Sequence, residues 1–491
     1  MSLWRKKSIS FLKDEATGGT QKLERKLGAT SLVLLGIGAI IGAGLFSLTG
    51  IAAAENAGPA VILSFILASI GCAFAGLCFS ELASMIPLAG GAYSYTYATM
   101  GELIAWIIGW VLILEYATGA AVVSISWSAY VISFLQGFHI ELPSFLIASP
   151  WQPVQLPDAS HVHGWINLPA LLVVVLMTLL LIVGVDKSAK VNAVLVFVKV
   201  AVVLVFIAVG YGYTQDVNYH PFIPENTGVF GEFGWSGVFR AAGIVFLAYI
   251  GFDAVSTAAQ EVKNPQRNLP IGIIGSLVVC AILYVLFAYV MVGLVPYQEL
   301  NVAAPVAAAI NKTPFLWLNG LIKFAIIAGL TSVVLVLLLG QSRIFYIISK
   351  DGLLPPSLSI IHKKFHTPWF ANLIIMIGVG LFSAFAPLSL VGHLTSIGTL
   401  LAFAIVCASV IVLRITHPNV HRPFKTPLVP WVPLLGILIC LGLMVSLGFA
   451  TWMRLIVWII IGLFVYFLYG KSRSHLAKIE KLEETEQTIQ T

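Results

Sequence analysis

The chain is cut into apolar runs of about twenty residues, the length an α-helix needs to cross about 30 Å of hydrocarbon. Twelve runs can be marked: 31–54, 60–86, 101–136, 166–183, 190–212, 236–260, 270–294, 314–349, 368–386, 388–414, 430–448 and 453–470. Only 10% of the residues are charged and 59% are hydrophobic, whereas a soluble domain carries roughly 25% charged residues. No soluble fold hides that much apolar surface, so the sequence predicts an all-α polytopic membrane protein. The third and eighth runs exceed one straight span and are expected to tilt or to project beyond the hydrocarbon. Cys72, Cys78, Cys280, Cys407 and Cys440 all fall inside apolar runs without metal-ligand spacing, and read as buried apolar side chains. No cleavable signal peptide is expected, because no short apolar run with a small-residue cleavage site precedes the first span.

Positive charge orients the spans. With the N-terminus in the cytoplasm, 22 of the 27 lysines and arginines fall on the cytoplasmic side, seven of them in the first 26 residues. The outer side holds Lys312, Arg240 and Arg454, and the loops 137–165 and 213–235 have neither Lys nor Arg. That asymmetry is the positive-inside pattern; it puts both termini in the cytoplasm and requires an even number of spans. It also explains the +6 net charge without nucleic acid, which is not an expected partner. The expected organisation is a cytoplasmic segment 1–30, a transmembrane domain 31–470 and a cytoplasmic tail 471–491.

Within the first span, "LLGIGAIIGAGLFSLTG" (34–50) carries glycine at Gly36, Gly38, Gly42, Gly44 and Gly50, although each costs a helix about 1 kcal/mol relative to alanine. The sixth run, "IVFLAYIGFDAVSTAAQE" (244–261), is interrupted at Gly251, with Gly243 just ahead of it. The first and sixth runs each open a block of five. Five is odd, so the second block enters the membrane from the opposite side, which predicts an inverted repeat, 31–212 against 236–414, followed by two further helices in 430–470. Glycine-interrupted spans at matching positions of two halves point to a transport site. A helix broken at the midplane exposes N–H groups on one side and C=O groups on the other, tolerable only beside a cavity or ligand. The N–H end suits a carboxylate and the C=O end suits an ammonium, so a zwitterionic amino acid matches both. Gly42 and Gly44 would permit close approach to the carboxylate, and the carbonyls of Phe246, Ala248 and Tyr249 would accept from the amine. The alternative is glycine at tight helix crossings.

The segments "GIGAIIGAGLF" (36–46), "GFDAVSTAAQEVKNPQRNLPIGI" (251–273) and "SRIFYIISKDGLLP" (342–355) resemble the amino acid–polyamine–organocation superfamily, and within it bacterial permeases similar to cationic amino acid transporters. The resemblance covers about residues 24 to 470. It implies the LeuT-like fold of twelve helices with the first and sixth discontinuous, amino acid transport by alternating access, and coupling to protons rather than sodium. It adds Ile40, Ala43, Gly251 and Leu330 to the implied substrate site, with Phe246 closing over the substrate. Two departures stand out: Ala43 replaces the threonine of the common "GTGIF", and Gln260-Glu261 replaces a common acidic pair.

Charges inside spans are costly and mark functional candidates. Lys199 lies mid-run in "VLVFVKVAVVL". The resemblance implies that a fifth-span lysine stands where other members hold sodium, with Thr331 and Ser332 as its hydroxyl partners on the eighth span; the alternative is a permanently paired structural lysine. Glu115, in "WVLILEYATG", is a second proton-site candidate, or a substrate or packing residue. Asp253 is expected to cap the second half of the sixth span, Glu81 to act at an interface or gate, and Lys323 to snorkel outward. Leu330 favours a small or apolar substrate side chain. The leading reading is proton-coupled uptake of neutral, alanine-like L-amino acids at the plasma membrane. A cationic carrier or exchanger, or a non-transporting sensor, are the alternatives. No enzyme motif, cofactor or metal site is expected, and a channel is disfavoured by the scarcity of polar residues in the runs. Protons and the lipid bilayer are the expected partners; a small membrane-protein subunit or a sterol-like lipid contact is left unassigned.

Overall fold

A computed structural model of the protein describes residues 4–8, 27–86, 90–151, 153–155, 161–183, 188–257, 259, 262–302, 304–365 and 367–478. Each of the twelve apolar runs falls on helix. The chain order is α1 (Ala29–Ile40), a helical path from Gly44 to Ala57 that is π-helical at both ends, α2 (Val61–Met85), α3 (Gly91–Thr99) and α4 (Glu102–Gln136). It continues with α5 (Leu168–Val183), α6 (Ser188–Tyr211), α7 (Gly234–Val245), α8 (Phe252–Thr257), α9 (Pro265–Leu294) and α10 (Pro305–Ile310). The last are α11 (Leu316–Lys350), α12 (Trp369–Phe385), α13 (Leu388–Thr416), α14 (Trp431–Ser446) and α15 (Phe449–Val465). Among the described residues, seven helical stretches are long and apolar enough to cross a membrane, and four shorter apolar helices accompany them. The loop after α4 holds an antiparallel hairpin, β1 (Pro153–Gln155) on β2 (His161–His163).

The third and eighth runs form α4 and α11, 35 residues each and uninterrupted. At 1.5 Å per residue each is about 52 Å long, well beyond the hydrocarbon thickness. They pack along one another in the middle of the molecule. Apolar side chains such as Phe197, Ile282, Leu381 and Phe464 cover the outside, as a lipid environment allows.

Two clusters of buried charge tie helix ends together. Glu81, fully buried near the end of α2, accepts from both Nε and Nη2 of Arg414 of α13 at 2.9 Å and from the Thr426 N–H at 2.7 Å, and forms an ion pair with Arg422, whose Nε lies 3.3 Å away. The interface role expected for Glu81 thus takes the form of a clasp between α2, α13 and the loop before α14. In the second cluster Asp351, just beyond α11, accepts from Lys7 Nζ at 2.6 Å and from the Tyr93 hydroxyl of α3 at 2.7 Å. Beside it Glu102, at the start of α4, accepts from Tyr97, Tyr466 and Ser474. The segment 4–8, α3, the end of α11 and residues 474–475 therefore meet on one face.

Lys323 departs from the expected outward snorkel. Its residue is only 8% exposed and Nζ donates to the Ser133 carbonyl near the end of α4 at 3.0 Å. The close packing of α4 on α11 brings this carbonyl within reach of the ammonium.

Candidate functional site

The two interruptions occur as backbone breaks. Helix α1 ends where Ile41 turns extended (ψ 104°), and helical bonds resume with the Leu45 and Phe46 N–H groups on the Gly42 carbonyl. The Ile41 N–H still closes the last turn of α1 on the Ile37 carbonyl at 2.9 Å, and the first N–H groups of a resumed helix are those a helix start leaves without an intrahelical acceptor. Helix α7 passes into a 3₁₀ turn, Phe246–Tyr249, and ends where Ile250 turns extended (ψ 138°) and Gly251 adopts φ +119°. That φ lies in a region side-chain-bearing residues avoid, which is the reason for glycine there.

The breaks face each other. A Cβ on Gly44 would lie 2.3 Å from the Ala248 Cα, and one on Gly251 would lie 2.7 Å from the Ala39 carbonyl carbon. Glycine at 44 and 251 thus lets the two interrupted helices touch backbone to backbone. Gly36 and Gly38 follow the tight-crossing reading instead: a Cβ would collide with Ser276 and Val196 respectively. Gly42 has only an ordinary contact, Val333 at 3.5 Å, so its Cβ position is free of close backbone. Ile40, Ala43, Phe246, Ala248, Tyr249 and Leu330 are all buried, none more than 2% exposed. The Phe246 ring lies edge-on to Phe403 of α13 at 5.7 Å, and the Tyr249 hydroxyl donates to the Phe65 carbonyl of α2 at 3.1 Å.

One residue that sequence reasoning missed joins the breaks. The Tyr284 hydroxyl of α9 lies 2.9 Å from the Ile40 carbonyl and 2.9 Å from the Ala248 carbonyl. Both carbonyls belong to the last turns of the first halves of the interrupted helices, where a helix end leaves carbonyls unsatisfied. Nothing in the sequence around Tyr284, "CAILYVLFAY", distinguishes it from an ordinary interior aromatic.

Lys199, 1% exposed on α6, donates Nζ to the Gly38 carbonyl of α1 at 2.8 Å. Its stem packs on Gly329 of α11, where a Cβ would lie 2.8 Å from Lys199 Cγ. Lys199 therefore links α6, the end of α1 and α11. The expected bonds to Thr331 and Ser332 are not among the contacts of the described residues. Those hydroxyls bond the carbonyls of Ile327 and Gly329 on their own helix, and Thr331 also accepts from Trp127 Nε1 at 2.9 Å. Local back-bonding of this kind is the usual alternative for Ser and Thr within a helix.

Glu115 is 2% exposed and, among the described residues, its Oε2 has no hydrogen-bond partner. It shares a cavity of about 10 Å3, room for about one water, with Tyr116 and Asp253. Asp253 accepts from the Gly251 N–H at 3.1 Å and from the Tyr116 hydroxyl at 2.9 Å, the cap expected at the start of α8. The departure at Gln260-Glu261 lies outside the described residues. The arrangement offers two apposed helix breaks whose carbonyls at Ile40 and Ala248 share one hydroxyl, one buried amine on the Gly38 carbonyl near the first break, and one incompletely bonded carboxyl nearer α8.

Comparison with known proteins gives this geometry a family. The amino acid permease family matches residues 27–465. The branched-chain amino acid permease BcaP of Bacillus subtilis (strain 168) is 45% identical over 97% of this chain and 99% of its own length. The methylthioribose transporter of the same organism is 42% identical over 97% and 100%. The vacuolar cationic amino acid transporter 4 of Arabidopsis thaliana is 35% identical over 85% of this chain and 68% of its own length. These relatives are transporters, not enzymes, and this chain is a multi-pass membrane protein that belongs to the amino acid permease family.

Proposed function

We propose that the chain is a secondary active transporter that takes up neutral amino acids together with protons by alternating access at the plasma membrane. The carrying observation is the junction of Lys199 with the broken first helix: a buried amine whose hydrogen bond is to the Gly38 carbonyl, two residues before Ile40. A protonated amine there ties α1 to α6 and α11, and loss of the proton releases that tie. The same protein has apposed break ends of opposite polarity, which suit the carboxylate and ammonium of a free amino acid. In this reading the helices form a 5+5 inverted repeat, 31–212 and 236–414, with 430–470 appended and both termini in the cytoplasm. The break residues Ile40, Gly42, Ala43, Gly44, Phe246, Ala248, Tyr249 and Gly251 line the substrate site, and Glu115 is a second proton site.

Leu330 supports a neutral, apolar side chain, first an alanine-like one. The similarity to a branched-chain permease extends that range to valine, leucine and isoleucine. The likeness to cationic amino acid transporters keeps lysine and arginine as the competing class.

Uptake of labelled alanine, leucine and lysine into proteoliposomes with an inward proton gradient and no sodium tests the proposal. Alanine or leucine should accumulate, and Lys199→Met should abolish gradient-driven accumulation while the protein still binds substrate. Preferential lysine uptake would reassign the substrate class. Binding without accumulation would make the chain a sensor. Leu330→Ser should admit more polar substrates; an unchanged profile removes Leu330 from the site.

A further inference from the structure

Away from the helix breaks, a cavity of about 630 Å3 opens at the start of α9. One wall is formed by the first turns of α9, with Arg267 nearest the helix start and Pro270, Ile271 and Ile274 further along; the other is Pro423 and Phe424 of the loop before α14. Among the described residues no carboxylate lines it. Arg267 is exposed, and among the described residues its guanidinium has neither a hydrogen-bond nor an ion-pair partner. The helix itself does not call for this cation. Arg267 stands in the first turn of a 30-residue helix with no acidic residue beside it, at the end that favours negative charge.

Both walls are anchored. Gly272 and Gly275 seat α9 on α1, where a Cβ would lie 2.7 Å from Leu32 Cβ and 3.0 Å from Val33 Cγ2 respectively. The Phe424 N–H donates to Ser84 Oγ of α2 at 3.3 Å, and the flanking Arg422 and Thr426 belong to the Glu81 clasp. The cavity also continues into the lipid-facing surface. Residues 267, 271, 274, 278 and 282 follow the i, i+4, i+7, i+11, i+15 spacing of one helix face. Ile271, Val278 and Ile282 are 41%, 53% and 57% exposed, so an apolar stripe runs along α9 from the single cation at its end. Arg267 lies about 20 Å along the axis from the middle of α9, beyond the about 15 Å of hydrocarbon in one leaflet. The guanidinium is therefore at headgroup depth and the stripe at acyl-chain depth.

We propose that this cavity holds one anionic phospholipid, with its phosphate on Arg267 and an acyl chain laid along Ile271 and Ile274 and against Phe424. A guanidinium presents a planar fork of donors that matches phosphate oxygens, and the rest of the wall offers apolar surface to the chain. The lipid ties α9, which carries Tyr284, to the loop of the Glu81 clasp. On the orientation proposed above, this end of α9 lies at the cytoplasmic leaflet, where basic pockets take anionic headgroups.

The full chain in neutral detergent is titrated with short-chain phosphatidylglycerol, with phosphatidylcholine of the same chains and with inorganic phosphate, and its thermal unfolding midpoint is followed. Phosphatidylglycerol should raise the midpoint with a saturable dependence; phosphatidylcholine and phosphate should not. Arg267→Gln, at an exposed position whose side chain has no partner among the described residues, should bind phosphatidylglycerol about fivefold weaker, the effect of one cation at a headgroup. Ile274→Trp fills the cavity and should remove the saturable rise; if that variant does not fold, the Arg267 variant still decides. Lys363→Gln removes the same charge from an exposed position in the loop after α11 and should bind like the native chain. The proposal falls if phosphatidylcholine or inorganic phosphate stabilises the protein as well as phosphatidylglycerol does, or if phosphatidylglycerol gives no saturable rise. It falls also if Lys363→Gln weakens binding as much as Arg267→Gln. Neither transport nor membrane orientation enters these readings, so the lipid site and the proposed function can fail separately.

Discussion

Glu81 and Glu115 are both buried carboxylates on long helices, yet they are treated in opposite ways. Glu81 has two arginines and a backbone N–H on its oxygens. Glu115 keeps one oxygen without a partner among the described residues, beside a cavity the size of one water. The same contrast separates two of the buried lysines: Lys7 is paired with Asp351, whereas Lys199, among the described residues, donates to a single carbonyl. A charge that is fully compensated is locked in one protonation state and one position, and its loss leaves its partners exposed to the interior. A group with spare bonding capacity can change protonation without dismantling its surroundings. Glu81 and Asp351 sit at helix ends and fasten the fold, while Lys199 and Glu115 sit beside the helix breaks.

The largest expected effect follows from removing a compensated charge. Glu81→Gln keeps the shape but leaves Arg422, with its 4% exposed side chain, and the partly exposed Arg414 facing a neutral amide. Breaking a buried pair in this way costs about 3 kcal/mol, read as a lowered unfolding midpoint. A loss below about 1 kcal/mol would show that the clasp is no more than a surface pair. Glu115→Gln supplies the other side. Its carboxyl is underbonded already, so stability should change by less than about 1 kcal/mol, while proton-driven accumulation falls several-fold. Equal destabilisation by the two substitutions would erase the distinction drawn between them.

The positions of these groups were legible in the sequence to different depths. Charged residues inside apolar runs stand out one by one, so Lys199, Glu115 and Glu81 were marked from composition alone. The interruptions at Gly42–Gly44 and Gly251 were visible because glycine is the weakest helix former that a span can tolerate. What the sequence hides is pairing across helices. Arg414 and Arg422 looked like positive-inside loop charges, and their meeting with Glu81 depends on α13 lying against α2, 333 residues away in the chain for Arg414. The same limit misdirected the reading of Thr331 and Ser332: adjacency on α11 was visible, but not that each hydroxyl bonds a carbonyl one turn back. Tyr284 escaped notice entirely, because a hydroxyl aimed at two backbone carbonyls leaves no signature in side-chain type or spacing.

Tyr284 therefore gives the finest test of the comparison. Its one proton serves two carbonyls, Ile40 and Ala248, each 2.9 Å away, so at any moment one of them is underbonded in the manner of Glu115 Oε2. Tyr284→Phe keeps the ring, which packs against Phe65 and Tyr249 at 5.7 and 5.1 Å, and removes only the hydroxyl. The cost should be about 1 kcal/mol, that of one hydrogen bond. The two breaks would lose the group that holds both first halves in register, so the substrate concentration for half-maximal uptake should rise while folding is retained. If instead uptake is unchanged, the hydroxyl satisfies helix ends and nothing more, and the breaks are held together by the Gly44–Ala248 and Gly251–Ala39 backbone contacts alone.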